Sequence, residues 1–289
     1  MTDAPALPRA GVIGWPVGHS LSPVMHRHWL ARYGLPGSYD AIPVTPEDLP
    51  ATFDRVRSGE LRGFNVTLPH KVAALDLVDH VTARARQAGS VNTVFRRTDG
   101  SLEGDSTDGI GFLGSVADAV PGFRPADAPA CLLGAGGAAR SIGAALLAAG
   151  TPELRIVNRT AARAADLQAL LGPRVRLFDW SQAGAACDGA GLLANTTSLG
   201  MRGQPPLDGA LLRALLDGTQ DTVLIVDIVY TPLETALVQA ARARGRAATG
   251  GLDMLLHQGR PGFEAWFGVL PAVTPALRTE MEAELLRRA

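Results

Sequence analysis

Short apolar runs alternate along this chain with stretches in which apolar positions recur every three or four residues. The runs, bounded by turn residues, read as buried strands, and the periodic stretches as helices that bury one face. In the first third, strands are expected near 11–13, 39–42, 64–67 and 91–95, with helices over about 23–33 and 46–57. A second series starts with a strand at 130–133 and continues with strands at 154–157, 175–178, 192–194 and 223–226. Helices over 138–149 and 161–171 lie between them, closed by Gly150 and Gly172. The alternation implies an α/β protein with largely parallel sheets. The Pro-rich segment 122–130 marks the entry to the second series. With 289 residues the chain has room for two such domains.

The second series opens on a glycine loop. Leu133 is followed by Gly134, Ala135, Gly136, Gly137, Ala138 and Ala139, so a GxGxxA pattern sits between a strand and a helix. That is the context a dinucleotide-binding turn requires. Gly134 makes the tight turn, Gly136 lets the backbone approach a pyrophosphate, and Ala139 permits close helix–strand packing. The helix end adds unsatisfied N–H groups and a positive dipole. The next strand ends at Asn158, Arg159, Thr160 and, a turn later, Arg163. An NAD site would carry an acid there, roughly 20 residues after the glycines, to hold the ribose 2′-hydroxyl. Two arginines suit a 2′-phosphate instead, with Thr160 able to cap the helix and donate to the phosphate. NADP is the expected cofactor.

Composition narrows the remaining classes. Net charge is −1 and 46% of residues are hydrophobic, so neither a nucleic acid nor an anionic membrane is expected as partner. No apolar stretch is long enough for a membrane span, and the N-terminus lacks the apolar core of a secretory leader. Cys131 and Cys187 form no CxxC pattern, and the histidines have no metal-ligand spacing, so reduced thiols, a cytoplasmic location and no metal site are expected. Of 27 lysines and arginines, a single one, Lys71, is a lysine. Only an ammonium readily exchanges its proton, which makes Lys71 a candidate for chemistry.

Lys71 closes the segment Gly63-Phe64-Asn65-Val66-Thr67-Leu68-Pro69-His70-Lys71. Upstream, the loop from Gly14 to Pro23 carries the hydroxyls of Ser20 and Ser22, of which Ser22 alone would equally serve as a helix cap. Downstream come Gly89-Ser90-Val91-Asn92-Thr93, Gly104-Asp105-Ser106-Thr107-Asp108, Asn195-Thr196-Thr197, Asp227-Ile228-Val229-Tyr230-Thr231-Pro232 and Gly251-Leu252-Asp253-Met254-Leu255-Leu256-His257-Gln258. In this order, from about Gly14 to Gly268, the motifs resemble those of the shikimate dehydrogenase family. The resemblance implies NADP-dependent, reversible reduction of 3-dehydroshikimate to shikimate, a step of aromatic amino-acid biosynthesis, by a monomer or homodimer. It implies Lys71 and Asp108 as catalytic pair, and Ser20, Ser22, Thr67, Asn92, Tyr230 and Gln258 as further substrate ligands.

Gly134, Ala135, Gly136, Gly137, Ala138, Asn158, Arg159, Thr160, Arg163, Ile228 and Gly251 would then line the NADP site. The implied architecture is a substrate-binding domain of residues 1–107 and 252–289 with a Rossmann-type NADP domain of residues 108–251 inserted, the active site lying between them. Two positions depart from the family pattern: Ser106 stands where Asn is usual, and Ala83 where some members carry an acid. The competing readings are a quinate/shikimate dehydrogenase of the same fold, many of which prefer NAD, and a non-catalytic NADPH-sensing protein, whose mark would be loss of the lysine or the aspartate.

Overall fold

A computed structural model describes residues 7–288, so most of the N-terminal stretch in which no secretory leader was expected lies outside the described residues. In chain order the first elements are β1 (Arg9–Gly14), α1 (Ser22–Arg32), β2 (Ser38–Pro43), α2 (Leu49–Arg57), β3 (Gly63–Val66), β4 (His80–Val81), α3 (Ala83–Ala88), β5 (Thr93–Arg96) and β6 (Leu102–Asp105). There follow α4 (Asp108–Ala119), β7 (Ala130–Leu133), α5 (Gly137–Ala148), β8 (Leu154–Val157), α6 (Ala161–Leu171), β9 (Val175–Phe178) and α7 (Ala183–Cys187). The chain continues through β10 (Leu192–Asn195), α8 (Gly209–Asp217), β11 (Leu224–Asp227), α9 (Ala236–Ala243), β12 (Ala248–Thr249), α10 (Gly251–Phe267) and α11 (Pro275–Arg287). Contacts divide it into two compact units. One comprises the residues up to Thr107 with Gln258–Met281, the other Asp108–His257 with the residues from Glu282 onward. The second division therefore falls inside α10, beyond the 251/252 boundary expected from the sequence, and the end of the chain joins the second unit.

The sheet of the first unit has the order β2-β1-β3-β5-β6-β4. It is mixed: β1 runs parallel to β2 and β3, while β5 is antiparallel to both β3 and β6. The hairpin has a local cause, because the turn between β5 and β6, closed by Arg97 N–H donating to Ser101 O, is too short for a parallel crossover. Strand β6 was not expected, since its sequence Leu-Glu-Gly-Asp lacks an apolar run and only the pairing makes it a strand. One core packs Ile13, Phe53, Val56, Phe64 and Val66 under α2. Another is aromatic, with Trp29, Tyr39, Phe263 and Trp266 around the ring of His26.

The second unit has the order β12-β11-β10-β7-β8-β9, every pairing parallel. All four residues of β7, β10 and β11 are buried, as strands covered by helices on both faces must be. The direction of strand order reverses between β7 and β10. Ligands of open parallel sheets bind beyond the carboxyl ends of strands at such a switch point.

Candidate active site

In the first unit, β1 and β3 end side by side and their outgoing loops touch. A Cβ at Gly14 would stand 2.5 Å from Thr67 Cγ2 and 2.9 Å from Leu68 O, so only glycine allows this approach. Trp15 N–H donates to Leu68 O at 3.0 Å, and Thr67 N–H to Ile13 O at 2.9 Å. The first loop carries Ser20 and Ser22, both nearly buried. Ser22 makes no helix cap. It is the first residue of α1, and its N–H donates to Ser20 Oγ at 3.2 Å. The second loop carries Thr67 and Lys71. His70, buried between them, donates its Nε2–H to Val44 O at 2.7 Å and its backbone N–H to Thr67 O at 3.0 Å. Lys71 O accepts from Val91 N–H at 2.8 Å. The main chain at the lone lysine is thus held by His70 N–H and Lys71 O, and on these two loops Trp15, Leu68 and Val72 are exposed apolar side chains.

Asn92 is the hub of the same unit. Its Oδ1 accepts from Thr107 N–H at 2.8 Å and from Thr93 Oγ1 at 3.0 Å, which fixes the orientation of the amide. Thr107 Oγ1 donates to Gln258 O at 2.8 Å and ties the start of this unit's α10 segment to the hub. Behind it, Asn65 donates to Thr93 Oγ1 at 3.1 Å and accepts from the Tyr39 hydroxyl at 2.6 Å. Burial pushes the Tyr39 phenol well above its ordinary range, and the Ser22 side chain, within hydrogen-bonding reach, pulls it partly back. Ser22, Tyr39, Asn65, Thr93, Asn92 and Thr107 therefore form one buried polar chain. The sequence reading missed Tyr39, Asn65, Thr93 and Thr107. The signal available was a polar residue within β3 and at the head of β5, where burial calls for apolar side chains.

The second unit builds its site largely from backbone. Gly134 ends β7 with φ +104°, a conformation that disfavours any side chain, and its N–H donates to Val157 O at 2.9 Å. At Gly136 a Cβ would meet nothing within 4 Å, so the N-terminus of α5 opens on empty space. That helix has no side-chain cap, and its first N–H groups remain available to an anion. Asn158, Arg159, Ala161 and Phe178 line a cavity of about 130 Å³ at the end of β8, and Arg159 and Arg163 are exposed. Thr160 does not cap α6 with its side chain as expected; Asn158 Nδ2 instead donates to Thr160 O at 2.7 Å and braces the turn. These residues fit an NADP molecule: an open phosphate cradle, and two arginines with no carboxylate from Asn158 to Arg163, while the acid that also lines the cavity, Asp179, accepts from Ser181 N–H at 2.9 Å and Oγ at 2.5 Å. Ile228 and Tyr230 follow β11, and Gly251 opens α10 in the same unit. Asp108, 1% exposed, is the first residue of α4.

The family model described as shikimate dehydrogenase substrate binding domain matches residues 12–94. An enzyme of Rhodospirillum rubrum named shikimate dehydrogenase (NADP(+)) is 52% identical over 273 residues, covering 93% of this chain and 95% of that protein. The chain belongs to the shikimate dehydrogenase family. A shikimate 5-dehydrogenase of Thermus thermophilus, solved in complex with NADP(H) and shikimate, superposes with TM-score 0.80 at 37% identity, over 98% of this chain and all of that one. A quinate dehydrogenase of Corynebacterium glutamicum in complex with NAD scores 0.83 at 27% identity, over 96% and 99% of the two chains. Fold alone does not separate substrates within this family. Arg84, beside Ala83, donates through Nε to Asp105 Oδ1 at 2.6 Å, and the same oxygen accepts from Ser106 N–H at 2.7 Å. Among the described residues no helix is long and apolar enough to cross a membrane, and no cluster of His, Cys, Asp or Glu would hold a metal.

Proposed function

We propose that this chain is an NADP-dependent shikimate dehydrogenase of the cytoplasm, interconverting 3-dehydroshikimate and shikimate for aromatic amino-acid biosynthesis. The observation that carries the reading is the polar chain of the first unit, which brings hydroxyls and a fixed amide together and whose Asn92 follows Val91, the partner of the Lys71 main chain. The first unit is the substrate-binding domain and the second the NADP-binding domain. Ser20 and Ser22 hold the substrate carboxylate by hydroxyl donation, while Thr67, Asn92, Tyr230 and Gln258 hold ring hydroxyls. A site built of donors and acceptors for each hydroxyl rejects an analogue that leaves them unpaired.

NADPH, when bound, supplies the hydride to the 3-carbonyl carbon. Gly134 to Ala138 receive its pyrophosphate, Asn158, Arg159, Thr160 and Arg163 its 2′-phosphate, and Ile228 and Gly251 the rest of its length. Lys71 Nζ stabilises charge developing on the 3-oxygen and delivers the proton to it. Asp108 is the second member of the catalytic pair and accepts from a substrate hydroxyl. In the oxidative direction the pair takes the proton back. A spectrophotometric assay of shikimate and of quinate, each with NADP and with NAD, tests the proposal. Shikimate with NADP should give the highest kcat/KM. Preference for quinate with NAD would replace it with the quinate reading.

A further inference from the structure

Strands β10 and β11 are adjacent and in register, so that they end on two buried polar residues facing each other, Asn195 and Asp227. Asp227 Oδ1 accepts from Asn195 Nδ2 at 3.0 Å and from Val229 N–H at 3.1 Å, and Oδ2 accepts from Thr235 Oγ1 at 2.7 Å. Each partner carries the connection further. Asn195 Oδ1 accepts from Thr197 N–H at 3.1 Å and Oγ1 at 2.7 Å. Thr196 N–H donates to Leu133 O at 2.9 Å, and a Cβ at Gly134 would stand 2.9 Å from Thr197 Cγ2. On the other side Val229 O accepts from Gly251 N–H at 3.1 Å, and a Cβ at Gly251 would stand 2.0 Å from Ile228 O. One carboxylate therefore fastens the ends of β7, β10 and β11 and the start of α10, all within the second unit.

Holding a carboxylate there is costly. Burial pushes Asp227 up to about 6, and its three hydrogen bonds offset this only in part. Apolar packing would stabilise the strand ends as well or better, so a charge kept at such a site calls for another explanation. The segments it joins are those that hold Gly134, Ile228 and Gly251.

We propose that Asp227 is a positioning residue for the cofactor, setting the Gly134, Ile228 and Gly251 segments at the spacing NADP needs without touching it. The assignment rests on the NADP reading of the second unit. Its effect is felt more in cofactor affinity than in substrate affinity, because its bonds hold the Gly134, Ile228 and Gly251 segments directly and reach the substrate ligand Tyr230 only through the neighbouring Val229.

Three variants test this: Asp227→Ala, Asp227→Asn and Thr235→Val. NADPH binding is followed by nicotinamide fluorescence, together with KM for shikimate at saturating NADP and with thermal unfolding. Losing the anchors in Asp227→Ala should raise the NADPH Kd about tenfold or more, and Thr235→Val, which removes one bond, about threefold. Asp227→Asn, which keeps shape and part of the bonding, should rescue most of the loss. The KM for shikimate should rise by a clearly smaller factor than the NADPH Kd in every variant, since only Tyr230, beside the Asp227 partner Val229, links this network to the substrate ligands. An unchanged Kd in folded Asp227→Ala overturns the proposal, as do Kd and KM rising by the same factor, the mark of a merely structural role. If Asp227→Ala does not fold, an unchanged Kd in Thr235→Val overturns it instead. Failure of the wild-type protein to bind NADPH would overturn the NADP reading itself, a result distinct from a wild type that binds and variants that bind equally well.

Discussion

The two units build their candidate sites by opposite means. The first buries side chains that are bonded to one another before any ligand arrives, from Ser22 through Tyr39, Asn65 and Thr93 to Asn92 and Thr107. The second offers bare backbone at Gly134 and Gly136 and leaves its two arginines in solvent. A ring acid with several hydroxyls must be distinguished from close analogues, and that demands donors and acceptors whose directions are fixed in advance. A dinucleotide demands close approach and charge, which N–H groups at a helix end and exposed guanidinium groups supply. Substitutions in the first unit should therefore change catalysis or substrate affinity, and those at the edge of the second should change cofactor choice.

The largest effect expected from breaking this division is at Lys71. Lys71→Arg keeps the charge but not a readily transferred proton, so kcat should fall about 10²-fold or more, while NADPH affinity measured by fluorescence stays unchanged. A variant retaining most of its turnover would leave Lys71 as an ordinary surface lysine.

Next comes the cofactor edge. With Arg159 and Arg163 both replaced by Ala, the loss of two charge-assisted contacts should weaken NADP by about 3 kcal/mol, roughly a hundredfold, and NAD hardly at all. Equal losses in titrations of the two cofactors would remove these arginines from the 2′-phosphate.

A stability effect of somewhat smaller size is expected at Asp227. Its carboxyl is raised from 3.8 to about 6 in the folded protein, so the folded state holds the proton more tightly than the unfolded chain. The contribution is fully present below about pH 4 and is lost as pH rises through about 6. Relative to Asp227→Asn, the wild type should lose about 2–3 kcal/mol between those limits, as measured by denaturant unfolding across the range. The comparison with the variant matters, because Glu284, lowered to about 2 by Arg287 and Arg288, and Asp79, lowered mainly by Arg57, act in the opposite sense as acid is added. A pH-independent difference would mean that Asp227 titrates normally.

The smallest effect sharpens the account of the first unit. Tyr39→Phe removes the donor to Asn65 and should raise KM for shikimate about five- to tenfold, the equivalent of about 1 kcal/mol, with the NADP KM unchanged. A shift in the NADP KM instead would show that the polar chain serves the fold and not the substrate.

Much of this arrangement is legible in the sequence because its causes are local. The glycine turn at Gly134, the strand before it and the helix after it follow from neighbours in the chain, and the arginines at 159 and 163 take their meaning from the same stretch. The lone lysine needs only a count. The strands of the second unit are apolar runs since helices cover both faces of their sheet, and such runs are visible without knowing their partners. Strand β6 and the antiparallel hairpin are not visible, because Leu-Glu-Gly-Asp becomes a strand only by pairing with β5.

Tertiary structure alone determined which polar residues meet. Tyr39 and Asn65, or Asn195 and Asp227, stand far apart in the chain, and nothing in their own segments selects a partner. Strand order and register bring them within hydrogen-bonding distance, and the surrounding core removes the water that would otherwise satisfy them. The chain supplies the chemical groups through local sequence; their pairing and the shifted protonation of Asp227 arise only from burial in a folded sheet.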